Sequence, residues 1–178
     1  MEVNQSAYVL RAMQSLKEEG SWCGETHVQK AMYLCQELLG TPSDLKYILY
    51  KHGPYSFQLS DLIQSLIPDD LVQLIARPPY GPTLAITEQA KAIAKLAETN
   101  KKFSVGISRL SKELSSKNVA ELEKLATAVY VKRKGHGEFT VEGRADSMVK
   151  LKPHIAVEAA KSAVKAADIL EASLAQLA

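Results

Sequence analysis

The chain has 178 residues, of which 46% are hydrophobic and 24% charged, a composition typical of a globular protein that buries a substantial core. No run of about eighteen apolar residues occurs, so we expect no membrane span, and MEVNQSAYVL lacks the basic-then-apolar pattern of a secretory signal. Cys23 and Cys35 are the only cysteines, which predicts reduced thiols in a cytoplasmic protein.

The net charge of +2 is divided unevenly along the chain. Residues 1–89 carry 6 Lys and Arg against 10 Asp and Glu, or −4. Residues 90–178 carry 16 against 10, or +6. Because neutralisation of phosphates supplies most of the affinity for DNA, the acidic first half argues against a DNA-binding function for that half.

Apolar spacing predicts two helices at the start of the chain. The first extends over about 5–19 and is marked by Val9, Leu10, Met13 and Leu16. Thr26 and Gln29 form a capping-box pattern that opens the second helix, and Gly40 ends it.

A strand, a helix and a hairpin are predicted next. Residues 45–50, LKYILY, have strand character. Ser56 is placed to cap a third helix, and LVQLIA and TLAIT flank RPPYGP as a β-hairpin. Thr87 is expected to cap a further helix that ends near 98. The order helix, helix, strand, helix, hairpin is that of a winged helix-turn-helix domain, so we predict a winged-helix-like core over 1–99 in a mainly α protein with a small β-hairpin.

Residues 100–178 are predicted to form a helical part packed on this core as one compact unit. KFSVGISRLSKEL reads as a helix, and Asn118 with Glu121 opens another. RKGHGEFTVEG, residues 133–143, is expected to be a loop or small hairpin. The final helix carries a seam of small residues and leucines: Ala156, Ala160, Ala163, Ala167, Leu170, Leu174 and Leu177. The seam predicts packing on the chain's own body, with a homodimer or partner-helix interface as the alternative.

The stretch YKHGPYS is a stiff corner between predicted elements. Gly53 can adopt a positive φ, Pro54 fixes its own φ, and Ser56 caps the next helix. Tyr50, Lys51, His52 and Tyr55 are not needed for this geometry, and we predict that they contact a protein partner. The structural alternative is that the tyrosine rings pack in the core and their hydroxyls are hydrogen-bonded.

Two stretches, THVQKAMYLCQ and YKHGPYSFQLSDL, resemble the Panacea domain of SocA-like antitoxins and the related YwgA-like uncharacterised bacterial proteins. The matching residues are Gln29, Lys30, Tyr33, Gly53, Pro54, Tyr55, Ser56, Leu59 and Leu62, whereas Ala31 stands where the family has a bulky leucine. VAELEKLATAVYV and LKPHI are similar to the YwgA-like group. The resemblance implies a compact, largely helical, non-catalytic protein, and in some members a role in neutralising a toxin.

The predicted recognition helix, SFQLSDLIQSLI, is poor in positive charge. It contains no Arg or Lys and carries Asp61, and the hairpin has one cation, Arg77. DNA binding through this face is therefore disfavoured.

The basic second half keeps a nucleic-acid-binding regulator as the alternative function. Its cations cluster at Lys101, Lys102, Arg109, Lys112 and Lys117, and again in KRK at 132–134. The same residues are also typical of solvated helix faces.

We find no catalytic or metal-binding pattern in the sequence. Cys23 and His27 are four apart but do not complete a zinc site, and no phosphate-binding glycine loop or nucleophile elbow occurs. Cys35 lies on an apolar helix stripe, which predicts a buried thiol, although a dyad with a distant histidine stays open. His52, His136 and His154 have no acidic or cysteine neighbours in a ligand pattern, so we expect no cofactor and no enzyme activity.

Overall fold

The computed structural model describes residues 5–135 and 139–177. This part of the chain is mainly helical, as predicted, and contains eight α-helices and two short antiparallel hairpins. The helices are α1 Gln5–Glu18, α2 Glu25–Leu39, α3 Phe57–Ser65, α4 Glu88–Ala94, α5 Lys101–Leu114, α6 Val119–Arg133, α7 Val141–Leu151 and α8 Val157–Ala175. The strands are β1 Ile48–Tyr50, β2 Gly53–Tyr55, β3 Val72–Arg77 and β4 Tyr80–Ile86, and a 3₁₀ turn over Lys95–Thr99 continues α4.

The two hairpins form separate two-stranded sheets. In the second, β3 pairs with β4, with Val72 opposite Ile86, which confirms the predicted hairpin. In the first, β1 pairs with β2, with Leu49 opposite Pro54. The Gly-Pro corner lies between β1 and α3 and is itself the second strand of a small hairpin, which was not predicted.

The predicted strand over 45–50 is shorter in the structure because a side chain forms hydrogen bonds with the backbone of its first residue. Gln36 of α2 accepts a hydrogen bond from the Leu45 N–H and donates one to the Leu45 carbonyl, both at 3.0 Å. Leu45 is thus held against α2, and regular pairing begins only at Ile48.

Helix α2 lies at the centre of the fold and packs against α1, α5, α6 and α8. From His27 to Cys35 every one of its residues is buried. Gly106 allows α5 to approach closely, since a Cβ there would lie 2.4 Å from a methyl of Leu39. Both halves of the sequence therefore share one hydrophobic core around α2.

Most of the predicted helix starts are confirmed, and one is wrong. Ser56, Thr87 and Asn118 each accept a hydrogen bond from a backbone N–H of the first turn, and Asn118 completes a capping box with Glu121. The capping box of Thr26 and Gln29 does not form, because α2 begins at Glu25 with Gly24 as its N-cap.

The C-terminal helices pack on α6 and on each other. Helix α7 begins at Val141 with Thr140 as its cap, so residues 141–143 are helical and not part of the predicted loop. His136 lies outside the described residues. The seam of α8 is buried at Ala160, Ala163, Ala167, Leu170 and Leu174, so the chain's own helices cover this face.

Charged side chains also join these helices. Arg144 of α7 makes two hydrogen bonds to Asp168 of α8, at 2.8 and 2.6 Å, and Lys132 of α6 contacts the same carboxylate at 3.1 Å. Lys132 and Arg133 also pair with Glu171 of α8, at 2.6 and 2.8 Å. Two cations of the KRK run are therefore engaged within the fold.

None of the helices within the described ranges combines the length and apolar character needed to cross a bilayer.

Candidate functional site

The four residues predicted to contact a partner lie together on the first hairpin. Tyr50 ends β1, Lys51 and His52 form the turn, and Tyr55 ends β2. Tyr50, Lys51 and His52 are exposed, whereas Tyr55 is half-buried. The Tyr55 hydroxyl donates a hydrogen bond to Glu25 at 2.9 Å. For Tyr55 this agrees with the alternative expectation that the tyrosine hydroxyls are hydrogen-bonded within the fold.

Three aromatic rings meet at this hairpin and form what we call the aromatic cluster: Tyr50, Tyr55 and Phe57. The ring centroids of Tyr50 and Tyr55 are 5.7 Å apart, those of Tyr50 and Phe57 are 5.7 Å apart, and those of Tyr55 and Phe57 are 5.1 Å apart. Tyr50 is nevertheless 51% exposed and Phe57 is 54% exposed. The cluster is an apolar surface whose side chains are ordered by one another.

Buried polar residues of α2 form hydrogen bonds with the backbone of the Gly-Pro corner. Gln29 makes two hydrogen bonds of 2.9 Å to the backbone of Ser56, one to its N–H and one to its carbonyl. The Lys30 ammonium donates to the Pro54 carbonyl at 2.8 Å. The contacts of Gln29 and Lys30 with Pro54 and Ser56 fix the hairpin and the start of α3 on α2.

The turn of the hairpin is held by Lys152, from the segment after α7. Its ammonium donates to the carbonyls of Tyr50 and Lys51, the latter at 2.8 Å. The same ammonium lies 3.2 Å from a carboxylate oxygen of Glu123 in α6, and His154 lies 3.1 Å from that oxygen. The contact between His154 and Glu123 joins residues 31 positions apart in the sequence, so no local pattern indicated it.

Lys30 and Lys152 are both buried, and the carboxylate of Glu123 is buried beside them. Burial lowers the pKa of Lys30 from 10.5 to about 8, an effect that Glu123 partly offsets and Lys152 reinforces. Two buried ammonium groups thus serve as hydrogen-bond donors to the hairpin backbone, and the carboxylate of Glu123, with a smaller contribution from Glu25, offsets the burial of Lys30.

Gly53 lets the hairpin lie directly on α6. Its φ is +85°, and a Cβ there would lie 3.1 Å from the Thr127 hydroxyl oxygen and 3.3 Å from the Glu123 carbonyl oxygen. The position therefore requires glycine both for its conformation and for its space.

Phe57 and Ile48 belong to the same exposed surface but were not predicted. Ile48 is 48% exposed in β1. A signal for Phe57 was present in the sequence, because it lies outside the apolar stripe of α3 that Leu59, Leu62, Ile63 and Leu66 define. The contacts of Lys152 and Glu123 had no such signal, since they depend on how distant helices pack.

The residues considered for catalysis, apart from His136, lie within the described part of the chain. Cys23 and Cys35 are buried free thiols, and burial raises the pKa of both, that of Cys23 to about 12. The buried thiol predicted at Cys35 is thus confirmed. His27 contacts the Lys117 carbonyl at 3.0 Å, and Cys23 precedes α2, so the two do not share a helix face. In residues 5–135 and 139–177, no three His, Cys, Asp or Glu side chains are grouped so as to hold a metal ion.

The basic residues of the second half form a second surface on α5. Lys101, Lys102, Arg109 and Lys112 are exposed, and Lys117 is half-buried. The aromatic residue beside them, Phe103, is buried against Tyr8 and offers no ring for stacking on a base.

Neither a scan of the chain against protein-family models nor a search among curated proteins finds a match.

Proposed function

We propose that the chain is a non-catalytic protein-interaction module, antitoxin- or adaptor-like, that binds a protein partner through the aromatic cluster and the turn residues Lys51 and His52. The observation that supports this most is the exposure of Tyr50, on a hairpin whose backbone is fixed by buried donors, and of Phe57 beside it at the start of α3. Exposed aromatic side chains on a rigid support are the usual energetic centres of protein interfaces.

Rigidity favours binding because less side-chain and loop entropy is lost on association. The three rings pack on one another, and Lys30, Lys152 and Gln29 anchor the strands beneath them. Their positions are thus set before a partner arrives.

The resemblance to the Panacea domain supports the antitoxin-like form of the proposal. We also propose that α1 to β4 form a winged-helix-like core with α3 in the recognition position. Since α3 carries no cation and presents Phe57 with Asp61, its surface suits a protein better than a nucleic-acid backbone.

The proposal is tested by co-purification of the tagged chain from its native host. We expect the wild type to retain a partner that is encoded next to this gene, and the double variant Tyr50→Ala with Phe57→Ala to lose it. Ile169→Ala is the matched control, since Ile169 is a 71% exposed apolar residue of α8. The proposal is contradicted if the double variant recovers the same partner as Ile169→Ala. It is also contradicted if the wild type and Ile169→Ala recover no partner.

A further inference from the structure

A groove of about 370 Å³ lies beside the aromatic cluster, between the second hairpin, the start of α2 and the turn of the first hairpin. Its walls are mostly apolar, with Trp22, Leu74, Tyr80 and Leu84 among them, and His52 lines the side that belongs to the first hairpin. The volume is at the small end of the range of about 300–1,000 Å³ for ligand pockets, which suits one or two side chains of a peptide.

Arg77 stacks on two aromatic residues that line this groove. Its guanidinium lies 4.6 Å from the centroid of the Trp22 ring and 5.7 Å from that of Tyr80. No carboxylate of the described chain forms an ion pair with it. Stacking on an aromatic face leaves the N–H groups at the edge of a guanidinium free to donate, so Arg77 is preorganised to bind an oxyanion.

The charges around the groove favour an acidic ligand. His52 lines the groove from the turn of the first hairpin, and Lys51 is its neighbour in that turn. Among the described lining residues, Glu25 provides the one carboxylate. That carboxylate accepts the Tyr55 hydroxyl and lies in the first turn of α2, where the helix dipole stabilises it. Arg77, stacked on the lining residue Trp22, and Lys51, next to the lining residue His52, thus place two cations beside the groove against the one carboxylate of Glu25.

We propose that this groove binds an acidic segment of the protein partner, which places an apolar or aromatic side chain between the hairpins and an Asp or Glu carboxylate on Arg77. The inference rests on the proposed function, because His52 and the bond from Tyr55 to Glu25 make the groove continuous with the aromatic cluster. To the proposed function it adds the negative charge of the partner segment and the apolar or aromatic side chain that enters the groove.

Selection of peptides from a random library displayed on phage tests this inference. We expect the enriched peptides to carry Asp or Glu next to Phe, Trp or Leu. Fluorescence anisotropy with one such synthetic peptide should show binding weakened roughly tenfold or more by Arg77→Glu, since a charge-assisted hydrogen bond is replaced by repulsion.

Two further variants complete the test. Arg109→Glu makes the same charge change at an exposed arginine on α5 and should leave the affinity unchanged. Gly81→Trp should abolish binding, because Gly81 lines the groove and a Cβ there meets no atom within 4 Å, so a side chain can be added at this position to obstruct the groove.

Absence of enrichment, enrichment of neutral or basic peptides, or equal losses in Arg77→Glu and Arg109→Glu overturns the inference. None of those results affects the co-purification test, in which Tyr50→Ala with Phe57→Ala loses the partner. The inference can therefore fail while the proposed function holds, and the two failures are distinguishable.

Discussion

At the corner between β1 and α3, single residues decide whether the aromatic cluster has a fixed position. Gly53 brings the backbone onto α6, and Gln29 and Lys30 bind the next residues along the chain. A Gly-Pro pair indicates a turn from the sequence alone, but the reason why α2 carries a buried glutamine and a buried lysine becomes visible only when the strand lies on the helix.

Gly53→Ala should destabilise the fold more than Gly20→Ala. Both glycines have a similar positive φ, +85° and +82°, so the alanine variants share a conformational cost of about 1–2 kcal/mol. Only at Gly53 does the new methyl also meet Thr127 and Glu123, which should add about 1 kcal/mol or more. Urea unfolding of both variants measures the difference, and equal losses would contradict a close approach at Gly53.

Lys30→Met tests the buried ammonium through the pH dependence of stability. The folded-state pKa of Lys30 is lowered from 10.5 to about 8, so the unfolded chain binds more protons between these values. Protonated Lys30 therefore costs the wild type stability below pH 8, and the cost is relieved as the pH rises towards 10.5. We expect the free energy of unfolding of the wild type to rise relative to Lys30→Met by up to about 1.4 kcal/mol per pH unit in this window.

Chemical denaturation at several pH values from neutral to about 10 measures this difference. All other side chains are the same in both proteins, so their contributions cancel in the comparison. A difference that stays constant with pH shows that Lys30 is not desolvated.

At the scale of the elements, sequence patterns located most helices and the larger hairpin because each carries its own signals. Apolar spacing and the caps Ser56, Thr87 and Asn118 are local properties of the chain. The errors arose where distant contacts override local preference. Gln36 holds Leu45 out of the predicted strand, and Gln29 bonds to Ser56 and does not cap α2.

The ion pairs between α6, α7 and α8 make a prediction at this scale. Hydrogen bonds from Arg144 lower the pKa of Asp168 from 3.8 to about 2, so this carboxylate stabilises the fold above about pH 4, and the gain is lost as the pH falls towards 2. Because the Asp168 side chain is 35% exposed, solvent screening limits the effect, and Asp168→Asn should cost about 1 kcal/mol at pH 7.

Asp146→Asn is the control, since Asp146 is an exposed residue of α7. It should change the free energy of unfolding little at any pH. The account of these ion pairs is wrong if Asp168→Asn costs the same at pH 2 as at pH 7.

At the scale of the whole molecule, the acidic first half and the basic second half of the sequence fold around one core. The exposed aromatic cluster lies on the half with net charge −4, and the free cations of α5 lie on the other. Three surface residues of the candidate site, Tyr50, Lys51 and His52, could be picked out from the sequence because the geometry of the corner does not need them. The groove was not, since it forms where two hairpins and a helix start converge.

This charge distribution predicts weak binding to DNA. We expect titration with duplex DNA to show no sub-micromolar affinity at physiological salt, because α3 has no cation and the KRK run is partly neutralised by Asp168 and Glu171. Fluorescence anisotropy at low and physiological salt measures this. Sub-micromolar, steeply salt-dependent binding that Arg109→Glu with Lys112→Glu abolishes would instead support a nucleic-acid-binding regulator acting through α5.

The affinity of the co-purified partner for the purified chain tests the central claim most directly, and isothermal titration calorimetry measures it. Tyr50→Ala with Phe57→Ala should raise the dissociation constant roughly 30-fold or more, the loss of about 2 kcal/mol typical of aromatic hot spots, while Ile169→Ala leaves it unchanged. An unchanged dissociation constant for the double variant, or an equal loss in Ile169→Ala, would contradict the assignment of the aromatic cluster as the binding surface.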